Sequence, residues 1–168
     1  MSLSMYQSLV PVAIRMLGNL AAVLEKAESD AKARNIDPAV MTGARLYPDM
    51  LPLTAQVQIA TDIVSRAATR LAGKDPASVP DTESTFAELG DRIRRASKHL
   101  EAFKAEQIDG SEERSISFTV GGHDMSFNGR DYLLNFVLPN FYFHVTTAYD
   151  ILRHNGVALG KRDFLGSI

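Results

Sequence analysis

Apolar positions recur at three- and four-residue spacing along most of the chain, a period that predicts helices. In the first segment Tyr6, Leu9, Ala13, Met16, Leu17, Leu20, Leu24, Ala27 and Ala31 form one stripe, and Arg15, Asn19, Glu25 and Lys26 fall off it. This is a long amphipathic helix ending near Asn35. Pro11 lacks a backbone donor, so it either kinks this helix or marks its effective first turn. Between Ile36 and Pro52 the chain carries Pro38, Gly43, Pro48 and Pro52, too much punctuation for a long helix. A short helical turn is predicted after Asp37-Pro38, and Leu46, Tyr47, Met50 and Leu51 are expected to cap the end of a core.

A second long helix follows from Leu53 to Leu71, with Leu53, Val57, Ala60, Val64, Ala67 and Leu71 in its stripe and Gly73 to stop it. Thr85 and Glu88 have capping-box spacing. Behind them Phe86, Leu89, Ile93, Ala96, Leu100 and Phe103 alternate steps of three and four, the seam of a helix packed in a bundle. From Arg114 to Gly129 the period changes to two: Ile116, Phe118 and Val120, the turn Gly121-Gly122, then Met125 and Phe127. That predicts a hairpin, whose apolar face must lie on the helices or on another subunit because an isolated hairpin is marginal in water. The last helix should begin near Asp131, bend or restart at Pro139 and stop at Asn155-Gly156. Leu159, Phe164 and Leu165 are placed to pack back on it. The fold class is all-α with one small hairpin, in one domain over residues 1–168.

Composition narrows the chemistry. The chain has no cysteine, which excludes a disulfide framework, a thiolate nucleophile and Cys-based zinc or iron–sulfur sites. A net charge of -2 gives no global reason to bind nucleic acid. The one basic run, Arg92, Arg94, Arg95 and Lys98, reads as the solvated side of its helix. Met1 to Val23 is apolar but lacks a basic leader and is interrupted by Arg15, and no run approaches the length of a membrane span. A cytoplasmic protein without membrane partners is expected.

Three strings are specific: Leu46-Tyr47-Pro48-Asp49-Met50-Leu51-Pro52-Leu53, Pro139-Asn140-Phe141-Tyr142-Phe143-His144 and Ala148-Tyr149-Asp150-Ile151-Leu152-Arg153. With four helices and a long second connection, the chain resembles an uncharacterised bacterial domain-of-unknown-function family, similar in turn to the DinB/YfiT-like four-helix bundles. Many of those are regarded as metalloenzymes, some linked to thiol-dependent transfer. The resemblance implies a DinB/YfiT-like bundle with the hairpin inserted before the last helix, and a homodimer. It also implies a site of three histidines, one on the second helix and two at i, i+4 on the last. His144, twelve positions before Gly156, fits the later of that pair. Asn140 stands at the earlier position and Gln56 at the second-helix position, so two of three ligands are amides. Amide oxygen is a poor substitute for imidazole on zinc or nickel, and no bound metal or other cofactor is expected.

Periodicity alone also places these residues together. At roughly 100° per residue, the apolar face of the last helix centres on Phe141, Val145, Ala148 and Leu152, with His144 and Asn140 at its margin and Thr147 one turn on. Gln56 lies beside Ala60 and Ile63 at the edge of its helix's buried stripe. His144, Asn140, Gln56 and Thr147 are therefore the candidate ligand-binding residues, between helices where bundles build sites. Buried amides and imidazoles also hydrogen-bond one another simply to fix helix register, and that reading stays open.

Elsewhere, His99 lies off its seam and His123 follows the glycine turn, so both are read as surface residues. His154 faces the helix dipole near a C-terminus, and Asp150 with Arg153 has the spacing of an exposed ion pair. No serine sits in a nucleophile elbow. The leading functional expectation is a small-molecule-binding bundle on a degenerate metal site. The alternatives are a metal-dependent hydrolase or thiol-dependent transferase, and a protein-interaction module.

Overall fold

The computed structural model describes residues 3–167. Helix α1 spans Met5–Ala33, with the short α2 (Pro38–Thr42) behind it. Helices α3 (Leu53–Leu71), α4 (Phe86–Glu101) and α5 (Ala105–Ile108) follow. Strands β1 (Ser115–Val120) and β2 (His123–Asn128) precede α6 (Gly129–Asp131), a π-helical turn (Tyr132–Val137), α7 (Leu138–His154) and α8 (Lys161–Leu165). The protein is thus mostly helical. Helix α3 packs between α4 and α7, α1 closes against the other sides of α4 and α7, and α8 lies on α1.

Local signals explain the boundaries. Ser4 and Gln7 form a capping box that starts α1 before Pro11, so the proline lies inside the helix rather than at its first turn. Thr85 and Glu88 do the same for α4. The Glu88 carboxylate accepts from the backbone N–H of Ser84 and Thr85 and from their hydroxyls, which hold its pKa down to about 2. The seam predicted for α4 is buried throughout: Phe86, Leu89, Ile93, Ala96, Leu100 and Phe103. At Gly129 a Cβ would stand 1.9 Å from the Ser111 carbonyl oxygen, so only glycine lets the start of the last helical segment abut the loop that follows α5.

The hairpin pairs Ile116 with Phe127 and Phe118 with Met125. Its aromatic part is covered from within the chain, while Val120 stays 49% exposed. Phe118 lies 5.6 Å from Tyr132 and 5.3 Å from Phe136 between ring centroids, and the Arg70 guanidinium sits 4.2 Å above Phe118. Phe118 therefore needs no second subunit to cover it.

Several expectations need correction. Tyr47 and Leu51 do not cap the core: they are 65% and 46% exposed. Their segment turns outward because Arg45 Nη1 donates to the Met50 carbonyl and Gln56 Nε2 to that of Leu51. Asp150 and Arg153 do not pair. Arg153 donates instead to the Leu159 carbonyl, tying down the tail. Helix α1 is long and apolar enough to cross a membrane, with a window of mean hydropathy 1.4. Its apolar stripe, including Leu9, Leu17, Leu20 and Leu24, is nevertheless packed inside the protein.

The largest correction concerns Arg92, which is not on a solvated face but 2% exposed. Four hydrogen bonds and a further ion pair hold it. Nε donates to Thr61 Oγ1 (2.9 Å), Nη1 to the Pro80 carbonyl (3.0 Å) and Glu83 Oε2 (2.9 Å), and Nη2 to Asp62 (2.7 Å), while Asp81 pairs with Nη2 at 2.9 Å. Burial alone would raise the Glu83 carboxyl. Hydrogen bonds from its own backbone, Gln58 and Arg92, with the Arg92 charge, outweigh that and hold it below 4.5.

Removing one member of such a buried network strands the others. Arg92→Met is expected to lower stability by about 3–5 kcal/mol in urea denaturation, whereas Arg95→Met, whose side chain is 65% exposed, should change it by less than about 1 kcal/mol. A neutral result for Arg92→Met would remove the network from any structural role. The pH dependence follows from the sign of the Glu83 shift. Because its folded pKa is the lower one, its contribution is complete above about 4.5 and lost as pH falls through the folded value. Denaturation midpoints measured into the acid range should fall less steeply in Glu83→Gln than in wild type.

Candidate functional site

Gln56 sits in the first turn of α3 and His144 in the middle of α7, on faces brought together by α3–α7 packing. His144 Nδ1 lies 2.7 Å from Gln56 Oε1, and Gln56 Nε2 donates to the Leu51 carbonyl at 3.0 Å. These two bonds decide the chemistry. With the amide nitrogen committed to a carbonyl, Oε1 is the acceptor, so His144 must carry its proton on Nδ1. Nε2 is then a lone-pair acceptor. It makes no hydrogen bond among the described residues, and it is not among the buried unpaired atoms, where Ser111 Oγ alone appears.

Gln56 is 1% exposed, His144 is half-buried, and burial holds the imidazole below its usual 6.5. At neutral pH the ring is therefore uncharged. Phe143, 54% exposed, stands edge-on to His144 with ring centroids 5.2 Å apart, and Leu51 flanks Gln56. The exposed Phe143 ring thus borders the pair.

The other two predicted members turn onto their own helix. Asn140 Nδ2 donates to the Phe136 carbonyl at 2.7 Å, across the junction where the π turn meets α7 and Pro139 lacks an N–H. Thr147 Oγ1 donates to the Phe143 carbonyl at 2.7 Å. The structure therefore joins His144 to Gln56 directly and leaves Asn140 and Thr147 beside them on α7.

This donor set does not fit the metal site of three imidazoles. One ring nitrogen of His144 is engaged by an amide, the Gln56 oxygen is that amide's acceptor atom, and the Asn140 nitrogen is bound to a carbonyl. No group of three or more His, Cys, Asp or Glu side chains is arranged for an ion among the described residues.

Sequence reasoning passed over a second constellation, in the cleft between α3 and α4. Its signal was present. On α4, Arg92, Arg95 and His99 share one flank of the seam at roughly 100° per residue, and on α3, Thr61, Ser65 and Thr69 follow one another at i, i+4. His99 is exposed as expected, yet Nε2 lies 3.1 Å from Thr69 Oγ1.

With this geometry established, comparison with known proteins is informative. A family model described as domain of unknown function (DUF1993) matches residues 5–165. The chain belongs to that family. The family is DinB-like: a crystal structure of a DinB family member protein from Shewanella denitrificans superposes with a TM-score of 0.87 at 37% sequence identity, covering 97% of this chain and 92% of that chain. No curated protein matches.

The His144–Gln56 bond yields a stability test. His144→Leu leaves the buried Gln56 oxygen without its donor and should reduce stability by on the order of 1–3 kcal/mol. The His144→Leu/Gln56→Leu pair should recover part of that loss, because it removes both ends of the bond. Strict additivity of the two single substitutions in chemical denaturation would show that the groups are not coupled. The lowered imidazole pKa adds a pH signature: its contribution is full above about 6.5 and declines as pH falls towards the folded value.

Proposed function

We propose that this protein binds a small molecule at the Gln56–His144 pair, on a DinB/YfiT-type four-helix bundle that forms one domain with the hairpin inserted before its last helix. The single observation that carries this reading is the 2.7 Å contact between His144 Nδ1 and Gln56 Oε1, which fixes Nε2 as an accessible acceptor. A ligand presenting an O–H or N–H to Nε2 and an apolar body to Phe143 and Leu51 matches it. Asn140 and Thr147, one turn to either side on α7, complete its wall.

Binding is favoured over catalysis by the character of the orienting group. A carboxylate behind an imidazole stabilises the imidazolium that forms when the ring takes a proton. Gln56 is neutral and supplies no such charge, and burial already disfavours the protonated ring. His144 is thus a better hydrogen-bond acceptor than general base. The same amides argue against resident metal, so protein purified without chelator should carry well under one equivalent of zinc, nickel or iron by elemental analysis. Near-stoichiometric metal lost in His144→Ala would overturn the assignment.

The direct test is a fragment screen read by the ring nitrogen resonances of His144. Hits are expected to move Nε2 while Nδ1 keeps its proton, and His144→Leu should weaken them by about tenfold or more, the value of one hydrogen bond in a buried setting. Hits that bind His144→Leu as tightly as wild type would place any ligand site elsewhere.

A further inference from the structure

Helices α3 and α4 run in the same direction. Thr61 meets Arg92 and, further along both helices, Thr69 meets His99, so the contacts advance together along the chain. A connection between parallel neighbours has to return along their length, and residues 72–85 do so over the groove between them. The returning segment is tied at both ends. Gly73 N–H donates to the Arg70 carbonyl and Lys74 N–H to that of Thr69, and further on Arg92 Nη1 donates to the Pro80 carbonyl. Pro76 and Pro80 restrict the backbone between and at these ties. The space left beneath is a cavity of about 420 Å³, within the range of small-molecule sites.

Charge around the cavity is engaged internally. Asp62 pairs with Arg66 at 2.8 Å and with Arg92 at 2.7 Å, Glu83 with Arg92 at 2.9 Å and with Arg95 at 3.0 Å, and Asp81 with Arg92 at 2.9 Å. Each guanidinium of the lining is therefore in an ion pair. Asp75 is exposed and makes no ion pair among the described residues, and with it four carboxylates surround three guanidiniums. An entering carboxylate meets a net negative cluster whose arginines are already engaged. An entering ammonium meets three guanidiniums, and the one unpaired carboxylate stands in water, where its attraction is screened. Taking either charge out of water without a new partner is unfavourable. The Thr61 and Thr69 hydroxyls donate to carbonyls of their own helix. What remains uncommitted is apolar: Pro76, Ala77 and Val79 on the connection and Ala96 on α4. Val79 is 43% exposed, so an occupant beside it removes further apolar surface from water.

We propose that this cavity binds an uncharged, mainly apolar small molecule, its body packed between Pro76, Ala77 and Val79 on one side and Ala96 on the other. Recognition is by shape and burial rather than by charge. The ion pairs that fasten the connection also set this preference, because the groups they engage are already neutralised by one another. The site is separate from His144: it lies on the α4 side of α3, whereas Gln56 faces α7.

Hexanol is the probe, with hexanoate and hexylamine as its negatively and positively charged counterparts, each titrated into the full chain and followed by backbone amide resonances. Hexanol is expected to give saturable shifts at Thr69, Ala77, Val79 and Ala96, and both charged counterparts to bind at least about tenfold more weakly, because their charge loses water without gaining a partner. Val79→Ser, at an exposed position on the connection, should weaken hexanol by about fivefold through lost apolar contact. Ala96→Leu, which puts a larger side chain in the opposite wall, should abolish the saturable shifts. Hexanoate or hexylamine binding as tightly as hexanol would overturn the proposal. So would the absence of saturable hexanol shifts, hexanol affinity unchanged in Val79→Ser, or shifts confined to Gln56 and His144.

Discussion

Arg92 is the point through which most of the polar architecture is connected. A guanidinium removed from water is strongly unfavourable unless its charge and donors are matched, and here four hydrogen-bond acceptors and one further carboxylate, on α3 and on the connection, supply that match. Thr61 and Asp62 belong to α3, Arg92 to α4, and Pro80, Asp81 and Glu83 to the connection between them. Since none of these can shift without stranding a donor, the spacing of α3 and α4 and the course of an otherwise irregular connection are set together. Apolar packing alone is less discriminating, because a seam of Leu, Ile and Ala tolerates small slips along the helix axis.

Helix α3 carries both constellations on different faces. Towards α4 it presents Thr61, Asp62, Ser65, Arg66 and Thr69, and towards α7 it presents Gln56. The register fixed by Arg92 on one side therefore also sets where Gln56 meets His144 on the other. The helix ends are secured by further ties. Arg114 donates to the Leu71 carbonyl at the end of α3, and Arg34 donates to the Asn155 carbonyl at 2.9 Å, joining the ends of α1 and α7. Such side-chain donors satisfy carbonyls that a terminating helix leaves open.

What could be read from the sequence was what depends on period and local capping. The α4 seam, the Thr85–Glu88 box, the hairpin alternation and the stop at Gly156 are short-range patterns, and each appears where its residues predict it. Gln56 and His144 were placed by helical projection on facing margins, and they do touch. The failures share a different cause. Arg92, only about 70° from the centre of its seam at roughly 100° per residue, was read by its charge rather than its position. Its burial depends on acceptors nine to thirty-one positions away, which no local pattern reports. Asn140 and Thr147 share the margin of α7 with His144 as projected, and what the projection does not report is that a polar side chain one turn from a carbonyl on its own helix has a near partner there. Tyr47 and Leu51 were assigned to the core by hydrophobicity, which states a preference for burial and not the presence of a surface to receive it.

The amides at Gln56 and Asn140 change the character of the position rather than only weakening it. An imidazole that ligates a metal needs its second nitrogen protonated and oriented by an outer acceptor. Gln56 Oε1 performs that orienting role on His144 from the place where the DinB resemblance implies another ligand. One residue cannot both occupy the inner coordination shell and act as the outer acceptor through the same oxygen, so the bond to His144 and a metal bond from Gln56 are mutually exclusive. The outcome is a single imidazole with a fixed tautomer and a free lone pair, its protonated form disfavoured by burial, a group able to accept one hydrogen bond.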